Sequence, residues 1–202
     1  MSIWVLGAGG HAAVVIDTLR SAGKAVEGAL DDRIALHGTE VLGVPVRGPI
    51  ALLQKLPEAN AIIGIGDRAV AQRLVEQWND AVRWATVIHS KAIVADSVQV
   101  GPGSVVFAGA VVQPRVKIGA HAIINTRVSV DHDCHVEDFA HLAPGVILGG
   151  GVQVGIGAMI GLGASVKPLC SIGSFSTIGL GSAVIKDVPA KLTVAGVPAS
   201  IL

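Results

Sequence analysis

Residues 118–142 read IGAHAIINTRVSVDHDCHVEDFAHL, and every sixth residue is aliphatic: Ile118, Ile124, Val130, Val136 and Leu142. The ladder extends both ways without a gap. It starts at Ile88, climbs through Val94, Val100, Val106 and Val112, and continues through Leu148, Val154, Ile160, Val166, Ile172 and Ile178 to Val184. Four residues after each rung sits a small or modest side chain, among them Ala110, Val116, Ala122, Val128, Cys134, Ala140 and Val146. A helix repeats every 3.6 residues and a lone strand every 2, so neither makes this pattern. A fixed period of six marks a hexapeptide β-helix, whose short strands stack as the sides of a coil.

The register says where side chains point. Strand side chains alternate, so the small residue and the next rung face inward while the residue between them faces out. The other three residues form a corner, where Gly101, Gly103, Gly119, Gly155, Gly157, Gly161, Gly163, Gly173, Gly179 and Gly181 collect. They are expected to supply backbone angles that only glycine adopts cheaply.

Composition agrees. In 202 residues, 15 basic and 15 acidic side chains cancel, so there is no electrostatic footprint for nucleic acid. The chain is apolar overall, yet it has no uninterrupted apolar run long enough to span a membrane. A narrow core filled by small aliphatics explains both that and an aromatic content of only 3%. The first residues lack the basic start of a signal peptide, which implies a cytoplasmic protein. Cys134 and Cys170 both fall on the inward small position, two turns apart if three hexapeptides make a turn. That separation is beyond disulfide reach, so they read as buried fillers.

Upstream of the coil, Ile3 to Leu6 predicts a buried strand, followed by Gly7-Ala8-Gly9-Gly10-His11-Ala12 and a helix to about Leu19. Ala25 to Leu30 predicts a second strand that delivers Asp31 and Asp32. Val44-Pro45-Val46 predicts an edge strand, and Pro49 to Lys55 a short helix. Ala61 to Ile65 predicts a third strand closed by Gly66-Asp67, with a helix over Arg68 to Trp78. Strands alternating with helices mean a small parallel α/β sheet. The expected domains are therefore 1–85, Rossmann-like, and 86–202, the coil with an irregular tail after Val188.

Gly7, Gly9 and Ala12 match G-x-G-x-x-[GA], with an acidic pair about 20 residues on, a fingerprint for phosphate at a helix N-terminus and hydroxyls at a carboxylate. A dinucleotide such as NAD is one reading. The roughly 85 residues available hold only one mononucleotide half, which suits a nucleotide-diphosphate sugar. A tight packing turn without a ligand is the third reading.

Four histidines lie in the coil. His121 and His132 fall at corners, His135 and His141 on outward positions of flat faces. His121 and His135 are expected to be solvated. His132 sits in Asp131-His132-Asp133, and flanking carboxylates can fix an imidazole tautomer and raise its basicity, as a general base requires. The spacing of His132, His135 and His141 does not suit three imidazoles on one metal, so no metal is expected.

A glycine-rich N-terminal sheet joined to an unbroken hexapeptide coil resembles the bacterial sugar O-/N-acyltransferases. It is most similar to the N-acetyltransferases of nucleotide-linked 4-amino-4,6-dideoxysugars, with sialic acid O-acetyltransferases as relatives. The resemblance covers essentially the whole chain. It implies a left-handed coil, against the usual right-handed preference of parallel crossovers. It also implies acetyl-coenzyme A as cosubstrate, bound between neighbouring coils of a homotrimer, and a role in surface glycan or glycoprotein biosynthesis. By that resemblance Gly9, Gly10, His11, Asp31, Asp32 and Gly66 hold the nucleotide sugar. Asn125 and Asp131-His132-Asp133 form the catalytic segment, with His132 as base and Asp133 or Asp131 orienting it. His141, Gly150, Leu162 and Leu180 contact acetyl-coenzyme A, and the Gly150 amide is a candidate oxyanion donor. Ser200 stands where the family carries a basic residue in its Gly-x-Pro-Ala ending. Outward Val105, Val111, Ile123, Ile147 and Met159 are expected to form apolar strips that a trimer covers. O-acetylation of sialic acid or another sugar hydroxyl, and a non-catalytic assembly role, are the alternatives.

Overall fold

The computed structural model describes residues 2–56 and 58–202. They form two compact units, Met1–Ser90 and Lys91–Leu202.

The first unit is built on β1 (Ile3–Leu6), which buries Ile3, Val5 and Leu6 and pairs in parallel with two neighbours. Helix α1 (Gly10–Ser21) follows directly and covers the sheet with Ala12, Val15, Ile16 and Leu19. Then come β2 (Val26–Leu30), β3 (Glu40–Val41), β4 (Val44–Gly48), a 3-10 helix over Ile50–Lys55, β5 (Ala59–Ile63), α2 (Arg68–Trp78) and β6 (Val82–Trp84). The sheet order is β3-β4-β2-β1-β5-β6. Its strands are parallel except for β3, which pairs antiparallel with β4. Asp67 caps α2 by accepting the Val70 N–H at 3.0 Å.

Two details depart from the reading of the sequence. Val44-Pro45-Val46 is not the edge, because β3 lies outside it through a two-residue turn at Leu42 (φ 49°) and Gly43 (φ 72°). Both positive angles suit a hairpin of that type, but leucine gives no such signal. Val82–Trp84, a segment given no element on the sequence, is a sixth strand on β5.

The second unit stacks short strands in three parallel faces. One face carries Val105–Val106, Ile123–Ile124, His141–Leu142, Met159–Ile160 and Thr177–Ile178. The second carries Ile93–Val94, Val111–Val112, Ser129–Val130, Ile147–Leu148, Ser165–Val166 and Ala183–Val184. The third carries Gln99–Val100, Lys117–Ile118, His135–Val136, Gln153–Val154 and Ser171–Ile172. Every pairing joins residues one turn apart, as Val112 with Val130. The rungs from Val106 to Val184 and the small residues between them are buried in one continuous core. Each fully buried valine or isoleucine contributes about 1.5–3 kcal/mol. Inward serines are satisfied locally: Ser104 Oγ donates to Gly119 O at 2.7 Å and accepts the Ala122 N–H at 2.8 Å. Cys134 and Cys170 are free and buried, as fillers should be.

The ladder weakens at its start. Val94 and Val100 are half-buried, and at the first rung Val87 is buried while Ile88 is exposed. The tail is not irregular. Thr193–Ala195 pairs in parallel with Thr177–Ile178, and Ser200–Ile201 folds back antiparallel on it. A coil that simply stopped would present an open strand edge, and these residues cover one.

Corner glycines turn out to serve two purposes. The third corner residue has positive φ at every turn from Gly103 to Gly181, with glycine at some and Arg115, His121, Arg127, Asp133, Phe139, Leu169 or Phe175 at others. Glycines at the first corner position, such as Gly155 and Gly161, do not have it. There a Cβ would stand 2.6 Å from Ser174 N or 2.7 Å from Ile178 O of the next turn. Close approach of backbone, not left-handed geometry, requires them.

Candidate active site

The corner between the second and third faces holds His132. Its N–H is taken by Asp131 Oδ1 at 2.7 Å, and its ring Nδ1 lies 2.7 Å from Asp133 Oδ2. Asp133 therefore orients the ring and Asp131 holds the backbone. Asp133 stands directly above Arg115 of the preceding turn, which donates Nε–H to Oδ1 at 2.6 Å and Nη2–H to Oδ2 at 2.7 Å. The Arg115 guanidinium, and then His132, hold the Asp133 carboxyl well below the usual carboxylate range. A carboxylate can only accept, so it selects the His132 tautomer with a proton on Nδ1 and a free lone pair on Nε2.

Gly150 lies one turn above His132. A Cβ there would stand 2.8 Å from the ring Cε1 and 2.9 Å from Nε2. Gly149 and Gly151 donate to Val166 O and His132 O, which leaves the Gly150 amide outside the ladder. The same corner position elsewhere is filled by Pro102, Pro114, Pro144 and Pro168, which have no N–H to give. At Gly150 the amide is kept and the side chain is removed. Beneath it, Cys134 Sγ donates to Gly149 O at 3.2 Å, and burial pushes this thiol's pKa up.

Asn125, grouped with His132 on the sequence, lies at the neighbouring corner between the first and second faces. Its Oδ1 accepts the Thr126 N–H at 2.8 Å, which turns Nδ2 toward His141 Nε2 at 3.1 Å. Leu162 and Leu180 stand one turn apart at this same corner, 56% and 77% exposed. The structure thus sorts the coil residues into two groups: His132, Asp133 and Gly150 on one corner, and Asn125, His141, Leu162 and Leu180 on the next.

In the first unit, the C-terminal ends of β1, β2 and β5 open into a cavity of about 530 Å³ lined by Gly7, Gly9, Gly10, His11, Asp31, Asp32, Arg33 and Gly66, among others. β1 lies between β2 and β5, so this is the switch point where parallel sheets bind ligands. Gly7 (φ 112°) turns the chain, and Gly64 allows Ala12 of α1 to pack against the sheet. Asp31 is already saturated. It accepts the Ala8 N–H at 2.8 Å, the Arg33 N–H at 2.9 Å, and both arms of the Arg33 side chain at 2.9 and 2.8 Å. Arg33 above all holds its pKa down at about 2. Asp32 gives one oxygen to the Ile50 N–H at 2.9 Å and is exposed. Arg33 reaches over the glycine loop, 3.6 Å from where a Gly9 Cβ would be. The His11 ring is half-buried, which lowers its pKa.

Arg115 and Arg33 were missed on the sequence. The signal for Arg115 was available, because 133 and 115 differ by one turn. Arg33 offered none beyond adjacency. His121, expected in solvent, instead stacks on Phe139 with centroids 5.1 Å apart and planes 12° apart. Burial lowers its pKa to about 4. His135 Nδ1 lies 3.1 Å from Gln153 Oε1. Among the described residues there is no cluster of metal-ligating side chains, and no helix long and apolar enough to cross a membrane.

Residues 2–78 match the PglD N-terminal domain. A histidine variant of perosamine N-acetyltransferase from Caulobacter crescentus, solved in complex with CoA and GDP-perosamine, is similar over the entire chain. It is 36% identical, with 100% of this chain and 97% of that chain covered and a TM-score of 0.94. The acetyltransferase domain of PglB from Neisseria gonorrhoeae FA1090 is 33% identical, covering 100% and 99%, TM-score 0.93. WeeI from Acinetobacter baumannii AYE is 31% identical, covering all of both chains, TM-score 0.90.

Proposed function

We propose that this chain, which belongs to the sugar acyltransferases with a PglD-type N-terminal domain and a hexapeptide-repeat left-handed β-helix, moves an acetyl group from acetyl-coenzyme A to the amine of a nucleotide-linked 4-amino-4,6-dideoxysugar. The observation that carries this reading is the His132–Asp133 pair at 2.7 Å with its ring beneath Gly150. It is supported by full-length likeness to a protein solved with CoA and GDP-perosamine.

Acetyl-coenzyme A supplies an activated acyl thioester. His132 Nε2 takes the proton that the sugar amine gives up as its C–N bond forms, and returns it to the sulfur as the C–S bond breaks. General-base assistance of this kind is worth about 10²–10⁴-fold. The Gly150 amide faces the developing oxyanion as a preorganised donor. A side chain at Gly150 would fill the space beside the imidazole, so the glycine fits a cosubstrate seated there. His141, Leu162 and Leu180 offer one polar and two apolar contacts for its pantetheine arm. In the first unit Asp32, His11 and Arg33 hold the nucleotide, and that binding energy serves to position the amine.

The two coil groups lie on different corners, and a homotrimer joins them by setting one subunit's His132 corner against the next subunit's Leu162 corner. Exposed Ile93 and Ile147 support a covered face. Val105, counted with that strip on the sequence, is 2% exposed and does not contribute. We place the enzyme in the cytoplasm, in a pathway that supplies sugars for surface glycans or glycoproteins.

The test is a panel of nucleotide sugars with acetyl-coenzyme A, scored by mass. A gain of one acetyl group on a 4-amino sugar supports the reading. Acetylation of a free sugar hydroxyl, with the amino sugars untouched, overturns it.

A further inference from the structure

We propose that Arg115 is the positioning residue of the transfer site, fixing through the Asp133 carboxylate both the tautomer and the tilt of His132. This rests on the reading of His132 as the base. Asp133 is the second link of a chain that begins one turn below it. Arg115 grips both carboxylate oxygens, Nε to Oδ1 and Nη2 to Oδ2, and Oδ2 is also the atom that His132 Nδ1 meets. Arg115 is itself anchored by its backbone, whose N–H donates to Ser97 Oγ at 3.0 Å on the turn below that. The Asp133 N–H donates to Pro114 O at 3.2 Å, so the two corners are tied by main chain as well as side chain. Arg115, Asp133 and His132 thus form a column along the coil axis, closed above by Gly150.

The fork does what a lone Asp133, though ionised, would not. It holds the carboxyl further below the usual carboxylate range, so it stays a pure acceptor for Nδ1–H. It also removes rotation about the Asp133 side chain, because two parallel bonds define a plane. The pair is exposed, 64% and 44% at the side chains, and exposed ion pairs add little to stability.

The test compares Arg115→Met, Arg115→Lys and the unaltered enzyme. In Arg115→Met, kcat should fall about 10–100-fold, the range for a reacting group displaced by about an ångström. KM for both substrates should stay within about twofold, and the thermal midpoint should barely move. Arg115→Lys keeps the charge without the fork, so it should recover only part of kcat. Nitrogen NMR of His132 at a pH where the ring is neutral gives a readout independent of acetyl transfer: the Nδ1–H tautomer in the unaltered protein, a mixture in Arg115→Met. Unchanged kcat and tautomer in Arg115→Met would overturn the proposal. So would equal losses in both variants that track a lowered thermal midpoint. If no sugar is acetylated yet the tautomer depends on Arg115, the functional reading fails and this one stands.

Discussion

Gly150 sits one turn above His132, so close that a methyl group on it would come within 2.8 Å of the imidazole Cε1. The ring is half exposed and can swing away, so Gly150→Ala should displace the base without disturbing the coil. We expect kcat to fall at least about tenfold, with a thermal midpoint within a few degrees of the unaltered protein. Steady-state kinetics beside a melting curve checks this, and full activity in Gly150→Ala would contradict it.

Gly161 and Gly163 share a corner but should respond differently to alanine. Gly163 has φ 65° and open space around its Cβ direction, so Gly163→Ala should cost about 1 kcal/mol of left-handed strain. At Gly161 the added carbon would meet Ile178 O and Leu180 N, both at 2.7 Å, and backbone must move. Gly161→Ala should cost about 2–3 kcal/mol. Denaturant unfolding of both variants gives the order directly, and the reverse order would refute the two-purpose account of the corner glycines.

Asp31 and Asp32 are neighbours with different surroundings, the first buried under four donors and the second exposed. Asp32→Ala should raise KM for the nucleotide sugar tenfold or more, about 1.4 kcal/mol, while KM for acetyl-coenzyme A stays put. Calorimetry should show a nucleoside diphosphate binding the unaltered protein and NAD not binding.

For Asp31 the hydrogen bonds predict an effect on stability. Its folded pKa is depressed to about 2 by Arg33 first, then by the backbone donors. A depressed carboxylate stabilises the fold above its unfolded pKa, and the contribution is lost as pH falls through the folded value. The stability gap between the unaltered protein and Asp31→Asn should therefore be full at pH 6 and shrink between about pH 4 and pH 2. A gap that does not change over that window would show that the Asp31 charge does not matter.

Sedimentation at micromolar concentration should give a trimer. Replacing exposed Ile93 and Ile147 with Asp together should lower the assembly state, and a monomeric unaltered protein would contradict the proposed site between corners.

The coil was legible because burial selects two positions in six, and no other architecture repeats that choice at every turn. What the period could not show was where the pattern stops mattering. Val105 occupies an outward position yet is buried, and Ile88 occupies a rung yet is exposed. The capping strands Thr193–Ala195 and Ser200–Ile201 lie off the six-residue register, so the ladder gave no sign of them. His132 and Asp133 were visible as neighbours in the chain, whereas Arg115 is a neighbour only through the turn length. Asp31 looked available for a ligand because a sequence does not display the four donors already aimed at it.

The most direct measurement is the turnover of His132→Ala against His135→Ala on the same nucleotide-linked amino sugar. Both histidines lie near one corner of the coil and neither fills its core. The account predicts a loss of at least about 10² in kcat for His132→Ala, near-native activity for His135→Ala, and unchanged folding in both. Equal activities in the two variants would contradict the assignment of His132 as the base.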